Sequence, residues 1–203
     1  MTKVLQAIST VKSGIYMGSA GVPCRDRFLW LGKIPNVIGA VDGTLIPIIA
    51  PSEAEEVYVC RKGYHAINVQ AVVDHEMRFT DVVAQWPGSV HDSTIMENCA
   101  LKQWLTTTNS NWLLGVSGYG LKPYLLTPIG TPSTPSEVLY NNAHVKTRLV
   151  VERAFGILKS RFRQEMNVPT PLILEEDDHD EHVSDGPLNG NGVQTRQSVV
   201  NLL

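Results

Sequence analysis

Between Ile34 and Ile49 the chain reads IPNVIGAVDGTLIPII, a near-continuous β-rich apolar run around a single carboxylate, Asp42. A run of that length and composition predicts a strand buried in a sheet. Burying an unpaired carboxylate costs several kcal/mol. Asp42 therefore stands at the strand's exposed end, is hydrogen-bonded by the following turn, or is neutralised by a cation. Asp42-Gly43 is also a strong turn signal, and read that way it would split the run into two short strands.

Two more strand patterns follow, AINVQAVVD (66–74) and RFTDVVAQW (78–86), joined by the polar link His75-Glu76-Met77. They predict a hairpin that extends the first strand into an antiparallel meander. Trp112 to Gly115 predicts a short buried strand that breaks into a glycine-rich turn. The residue after it, Val116, occupies a position where sheet enzymes place functional side chains.

Helical signals take over elsewhere. Asp92 or Ser93 is placed to cap a helix carrying Ile95, Met96, Leu101, Trp104 and Leu105. Thr134-Pro135-Ser136-Glu137 is a capping box with proline at the first helical position. Asn141-Asn142 then offers a break and a new cap before the strongest helix, about 143–163. Its core face is Val150, Val151, Ala154, Ile157 and Leu158, while Glu152 shares the opposite stripe with Arg148, Lys159 and Arg163. The plainest role for Glu152 is a surface ion pair with Arg148.

With 203 residues and 43% hydrophobic composition, the chain has room for one domain with appendages. Residues 1–33, in which GIYMGSAGVPCRD is broken by three glycines and a proline, read as an N-terminal remnant, and 34–163 as the domain. Residues 164–203 read as an acidic, disordered tail. No run approaches 18 uninterrupted apolar residues and no signal-peptide pattern opens the chain, so the expected location is the nucleus and/or cytoplasm, with no membrane role. The three cysteines are widely spaced without a CxxC, which argues against a disulfide framework or zinc ribbon.

Charge sharpens this division. Residues 1–163 carry 16 Lys and Arg against 12 Asp and Glu, whereas 164–203 carry 1 against 8. A mildly basic body is suited to a polyanion. Arg61-Lys62-Gly63-Tyr64-His65 can grip phosphate and stack a base, or simply form a basic turn. Lys146, Arg148, Arg153, Lys159, Arg161 and Arg163 surround the one acid of their helix, Glu152. His91 lacks a second histidine at helical spacing, and the Asp, Glu and His of 175–182 read as a solvated charge run rather than a metal site.

The order of these features resembles a known family. GAVDGT, RKGYHAINVQAVVD, WPGSVHDS, SGY and VERAFGILKSRFR, spread from Ile34 to Arg163, are similar to the catalytic domain of Harbinger-type transposases and the nucleases derived from them, the DDE superfamily endonucleases. The resemblance implies an α/β, RNase H-like fold: a mixed sheet, antiparallel in its first three strands, with helices on its faces. It also implies DNA as partner and cleavage of phosphodiester bonds with two divalent cations, Mg²⁺ or Mn²⁺, held by carboxylates.

Matched motif by motif, Asp42 corresponds to the first acid and Glu152 to the third. The family motif places the second immediately before Ser-Gly-Tyr, where this chain has Val116, with 35 residues between it and Glu152. Valine offers Mg²⁺ no oxygen, so impaired cleavage is expected, with Asp92 of the PGSVHDS motif as the candidate substitute ligand. Arg61, Lys62, Arg148, Arg153, Lys159 and Arg163 are the expected DNA contacts. Family members commonly carry an N-terminal helix-turn-helix, of which at most the end is present here. A partner protein supplying DNA binding or nuclear import is therefore also implied. The alternative is a non-catalytic DNA- or protein-binding module of the same descent.

Overall fold

The computed structural model describes residues 32–108, 111–166 and 190–203. Five strands form one mixed sheet in the order β3-β2-β1-β4-β5. β1 (Val37–Pro47), β2 (Ala66–Val73) and β3 (Phe79–Pro87) are the antiparallel meander, and β4 (Trp112–Leu114) and β5 (Leu125–Leu126) add in parallel. This is the RNase H-like arrangement. The apolar run does form one unbroken strand. Asp42 sits in its middle opposite Ala71, and the Asp-Gly pair makes no turn.

The two faces of the sheet are covered by different helices. Ala40, Ala71 and Val73 face α3 (Pro135–Met166), together with Tyr140, Val150, Val151 and Phe155 of that helix. Val41, Val72 and Leu113 face the opposite way, toward α1 (Asp92–Glu97) and α2 (Ala100–Thr108), through Met96, Leu101, Leu105 and Tyr119. Alternation along β1 thus decides which face each side chain reaches.

The capping box forms as expected. Glu137 N–H donates to Thr134 Oγ1 at 3.2 Å, and Glu137 Oε2 accepts from the backbone of Thr134 and from the backbone and hydroxyl of Ser133. These bonds hold the Glu137 carboxyl below the usual carboxylate range. The expected break at Asn141-Asn142 is absent, because the Asn141 amide accepts from Ile129 N–H at 2.9 Å and donates to Ile129 C=O at 2.8 Å. Spent on a neighbouring loop, it no longer competes with its own backbone. α3 therefore runs 32 residues without interruption. Its last fully buried side chain among the described residues is Phe155, and Leu158 is the last that packs on the core.

Two further expectations are corrected. The helix expected after Ser93 is two helices, broken at Asn98-Cys99. Part of the expected tail is ordered: Gly190–Val200 forms α4, which buries Val199 and Val200 in the core beside α3. Val193, Val199 and Val200 share one side of this helix and Leu203 packs on the core just past its end, a spacing masked by the Gly and Asn at its start. Most of the N-terminal segment and the acidic run 175–182 lie outside the described residues. No helix among the described residues is long and apolar enough to cross a membrane.

Candidate active site at the open edge of strand β1

β4 pairs with β1 only as far as Ala40 and then ends at Leu114. Beyond Ala40 the β4 side of β1 opens onto a cavity of about 500 Å³. The chain that leaves β4, Val116-Ser117-Gly118, forms one wall, and Asp42, Asp92 and Arg148 form others. Arg61 and Lys62 stand at the rim, presented by a tight turn closed by Cys60 N–H to Tyr64 C=O at 2.9 Å.

Asp42 is buried, with 3% of its surface exposed. Its Oδ1 accepts from Gly43 N–H at 2.8 Å, and its Oδ2 lies 3.7 Å from Arg148 Nη1. The same nitrogen is 2.6 Å from Glu152 Oε1, one helical turn along α3. Burial pushes the Asp42 carboxyl up to about 7; Arg148 and the Gly43 amide oppose the rise, and Asp92 and Glu152 add to it. The Arg148–Glu152 pair is not the surface pair expected from sequence. Arg148 is buried on the sheet side of α3 and reaches an acid of β1 as well.

Asp92 is close but on the other side of the strand. A Cβ added to Gly43 would fall 2.3 Å from Asp92 Oδ1, so the Asp92 carboxylate occupies the space a side chain at 43 would need. Neighbouring strand residues point to opposite faces, which puts Asp92 across β1 from the Asp42 side chain. Nor does Asp92 cap α1 with its side chain: the N-cap is His91, exposed at the cavity, and Asp92 is the first helical residue. Asp92 Oδ1 instead accepts from Asn68 Nδ2 at 2.7 Å, and the same amide donates to Val90 C=O at 2.9 Å.

Asn68 went unnoticed as a sequence signal, although an amide inside the apolar run AINVQAVV was its clue. Tyr119, from the SGY motif, is buried with a hydroxyl lacking a hydrogen-bond partner; burial, Asp92 and Asp42 raise its pKa. His144 was also missed. It is fully buried, its Nε2 lies 3.1 Å from Leu126 C=O, and burial lowers it to about 4.

The remaining expected DNA contacts lie farther along α3. Arg153 is exposed and Lys159 half-buried, while the Arg163 side chain is outside the described residues.

A model of the DDE superfamily endonucleases matches residues 41–180. The chain belongs to that family. Among curated relatives, Putative nuclease HARBI1 is 39% identical in Bos taurus and 38% in Homo sapiens, each over 141 residues. Protein ALP1-like of Arabidopsis thaliana is 30% identical over 159 residues. Each match takes in 68% of this chain, which spans about 40% of the relatives' own length. No solved structure matches.

The family is that of the DDE superfamily endonucleases, and nucleases of this family generally use divalent metals. The residues present do not fit such a centre. Among the described residues no group of three or more His, Cys, Asp and Glu side chains could hold a metal ion. Asp42 and Glu152 share Arg148 instead, Asp92 lies across β1, and Val116 packs partly into the apolar cluster around Tyr119.

Proposed function

We propose that this chain is a DNA-binding module of endonuclease descent in which metal-dependent phosphodiester cleavage is impaired by Val116. The observation that supports this reading is the position of Val116: it lines the same cavity as Asp42 and Arg148 and brings no oxygen to it. Arg61 and Lys62 at the rim, with Arg153, Lys159 and Arg163 along α3, supply the positive charge for a phosphate backbone. Arg148 belongs to this basic set by sequence, but its charge is turned inward on Asp42 and Glu152.

The test is anisotropy of a labelled duplex at stepped salt, run beside nicking of supercoiled plasmid with Mg²⁺ or Mn²⁺. Binding should fall with salt, and Arg61→Ala with Lys62→Ala should flatten the log–log slope by about 2. The plasmid should stay supercoiled. If the folded protein shows no salt-dependent binding, the DNA reading fails and a protein-binding module takes its place.

A second reading is favoured by the proximity of Asp92 to Gly43, in which Asp92 takes the part of the missing acid. Efficient nicking that disappears in Asp92→Ala would establish it.

A further inference from the structure

Three residues that line the cavity each carry a buried polar atom with no partner: Thr44 Oγ1 of β1, Asn68 Oδ1 of β2 and His144 Nδ1 of α3. All three residues are more than nine-tenths buried. Buried polar atoms are normally paired, so three such atoms around one cavity mark a site that a ligand completes.

Their chemistry restricts what the ligand brings. Asn68 Nδ2 donates to Val90 C=O at 2.9 Å and to Asp92 Oδ1 at 2.7 Å. Both partners are acceptors, which fixes the amide with its nitrogen toward them and leaves its oxygen as the unpaired end. His144 Nε2 lies 3.1 Å from Leu126 C=O and so carries the ring proton. With the ring kept neutral by burial, Nδ1 is an acceptor as well. Asp42 and Asp92 add carboxylates to the same walls, while the guanidinium among them, Arg148, is turned on Asp42 and Glu152. The interior therefore calls for N–H donors.

The mouth calls for the opposite charge, because Arg61 and Lys62 stand at the rim. A free phosphate or an acidic peptide side chain brings the interior only acceptors. A nucleotide meets both demands, with donors on its base and negative charge on its phosphate one sugar away. A cavity of about 500 Å³ is also of the size that holds small ligands.

We infer that the cavity takes up one unstacked nucleotide of a DNA strand, whose base donates from an exocyclic amino group to Asn68 Oδ1 while its phosphate stays at Arg61 and Lys62. The inference rests on the DNA reading above and makes Asn68 a base-reading residue. Guanine, adenine and cytosine carry such an amino group and thymine does not, so thymine is the base the site favours least.

The test changes the ligand and keeps the full chain intact. Labelled dT strands of about 12 nucleotides, carrying one central dG, dA, dC, deoxyinosine or dT, are titrated by anisotropy. The dG, dA and dC strands should bind at least about fivefold tighter than all-dT. Deoxyinosine, which is guanine without the amino group, should fall back toward the dT value. In spectra of the ¹⁵N-labelled chain the Asn68 side-chain amide signals should move with the dG strand and stay with all-dT. Arg61→Ala with Lys62→Ala should weaken every strand alike and keep the order of preference, since phosphate contacts carry no base information.

Binding that falls with salt yet is equal for all five strands within about twofold overturns the inference and leaves the DNA reading standing. Absence of salt-dependent binding to strands and duplex alike removes both. A base preference that leaves the Asn68 signals unmoved overturns the role given to Asn68. Free dGMP is titrated in parallel: if it moves those signals while the strands show no preference, the occupant is a free nucleotide and the DNA-strand form is wrong.

Discussion

Asp74 and Asp42 are both buried aspartates of the meander, and their surroundings are opposites. Asp74, just past the end of β2, accepts from the backbone amides of Glu76 and Arg78 at 2.9 Å each and from Arg78 Nε at 2.7 Å. Every one of those bonds comes from the turn it closes. Asp42 accepts one backbone amide and faces a guanidinium at 3.7 Å, too far for a hydrogen bond, with two other acids nearby. The contrast separates a carboxylate that builds the fold from one the fold carries at its own expense. Strained electrostatics of the second kind collect at functional sites.

The largest expected effect is at the first site. Asp74→Ala should destabilise the chain by about 3 kcal/mol, because it strips a buried acceptor from two amides and an arginine. Urea unfolding measures this, and DNA binding by the folded fraction should be unchanged.

Asp42→Asn should do the reverse at neutral pH, stabilising the chain by about 2 kcal/mol because the buried charge is gone. The pH dependence follows from the direction of the shift. A carboxyl raised to about 7 contributes stability that is complete below its ordinary value of 3.8 and lost as pH rises through 7. His144 works the other way: lowered to about 4, it contributes stability that is complete above 6.5 and lost as pH falls through 4. The charged groups that act on Asp42 are Arg148 and Glu152 from α3 and, from across β1, Asp92 of α1. Between about pH 4 and 6.5 the two slopes oppose, so the original chain should show a shallow profile. Asp42→Asn should expose the acid-side loss due to His144, and a variant whose profile stays shallow would show that the two groups are not the balancing pair.

A smaller effect sharpens the comparison with the third aspartate. Gly43→Ala should cost about 1 kcal/mol and displace Asp92 from Asn68 while leaving Asp42 in place, since its Cβ enters the face opposite Asp42. Loss of the Asn68 side-chain amide shift by NMR, with DNA binding retained, is the expected pair of results.

Much of this was written in local sequence. The first strand was legible because Ile34 to Ile49 is a long β-rich apolar run, although Asp42-Gly43 left a turn open, and the start of α3 because a capping box is a contact between near neighbours. What escaped was long-range. Asn141 reads as a helix breaker until Ile129 occupies its amide, and Asp92 reads as a cap until Asn68 claims its oxygen. Arg148 reads as a surface charge because its spacing to Glu152 is that of any exposed pair. Only the approach of β1 shows that this part of the helix faces inward. α4 was missed because its apolar positions are few and follow a Gly and Asn-rich start.

The length of α3 has a mechanical consequence. Past Leu158 the helix continues to Met166, roughly 12 Å of rod beyond the last described side chain that packs on the core. A segment that short would not hold together alone, but here it propagates from turns already fixed against the sheet. It is a spar clamped at one end, with Glu152 and Arg148 just inside the clamp. A load applied to the stretch past Leu158 becomes torque on the helix at the cavity wall. Whatever grips the spar therefore has leverage on the ion pair without touching it.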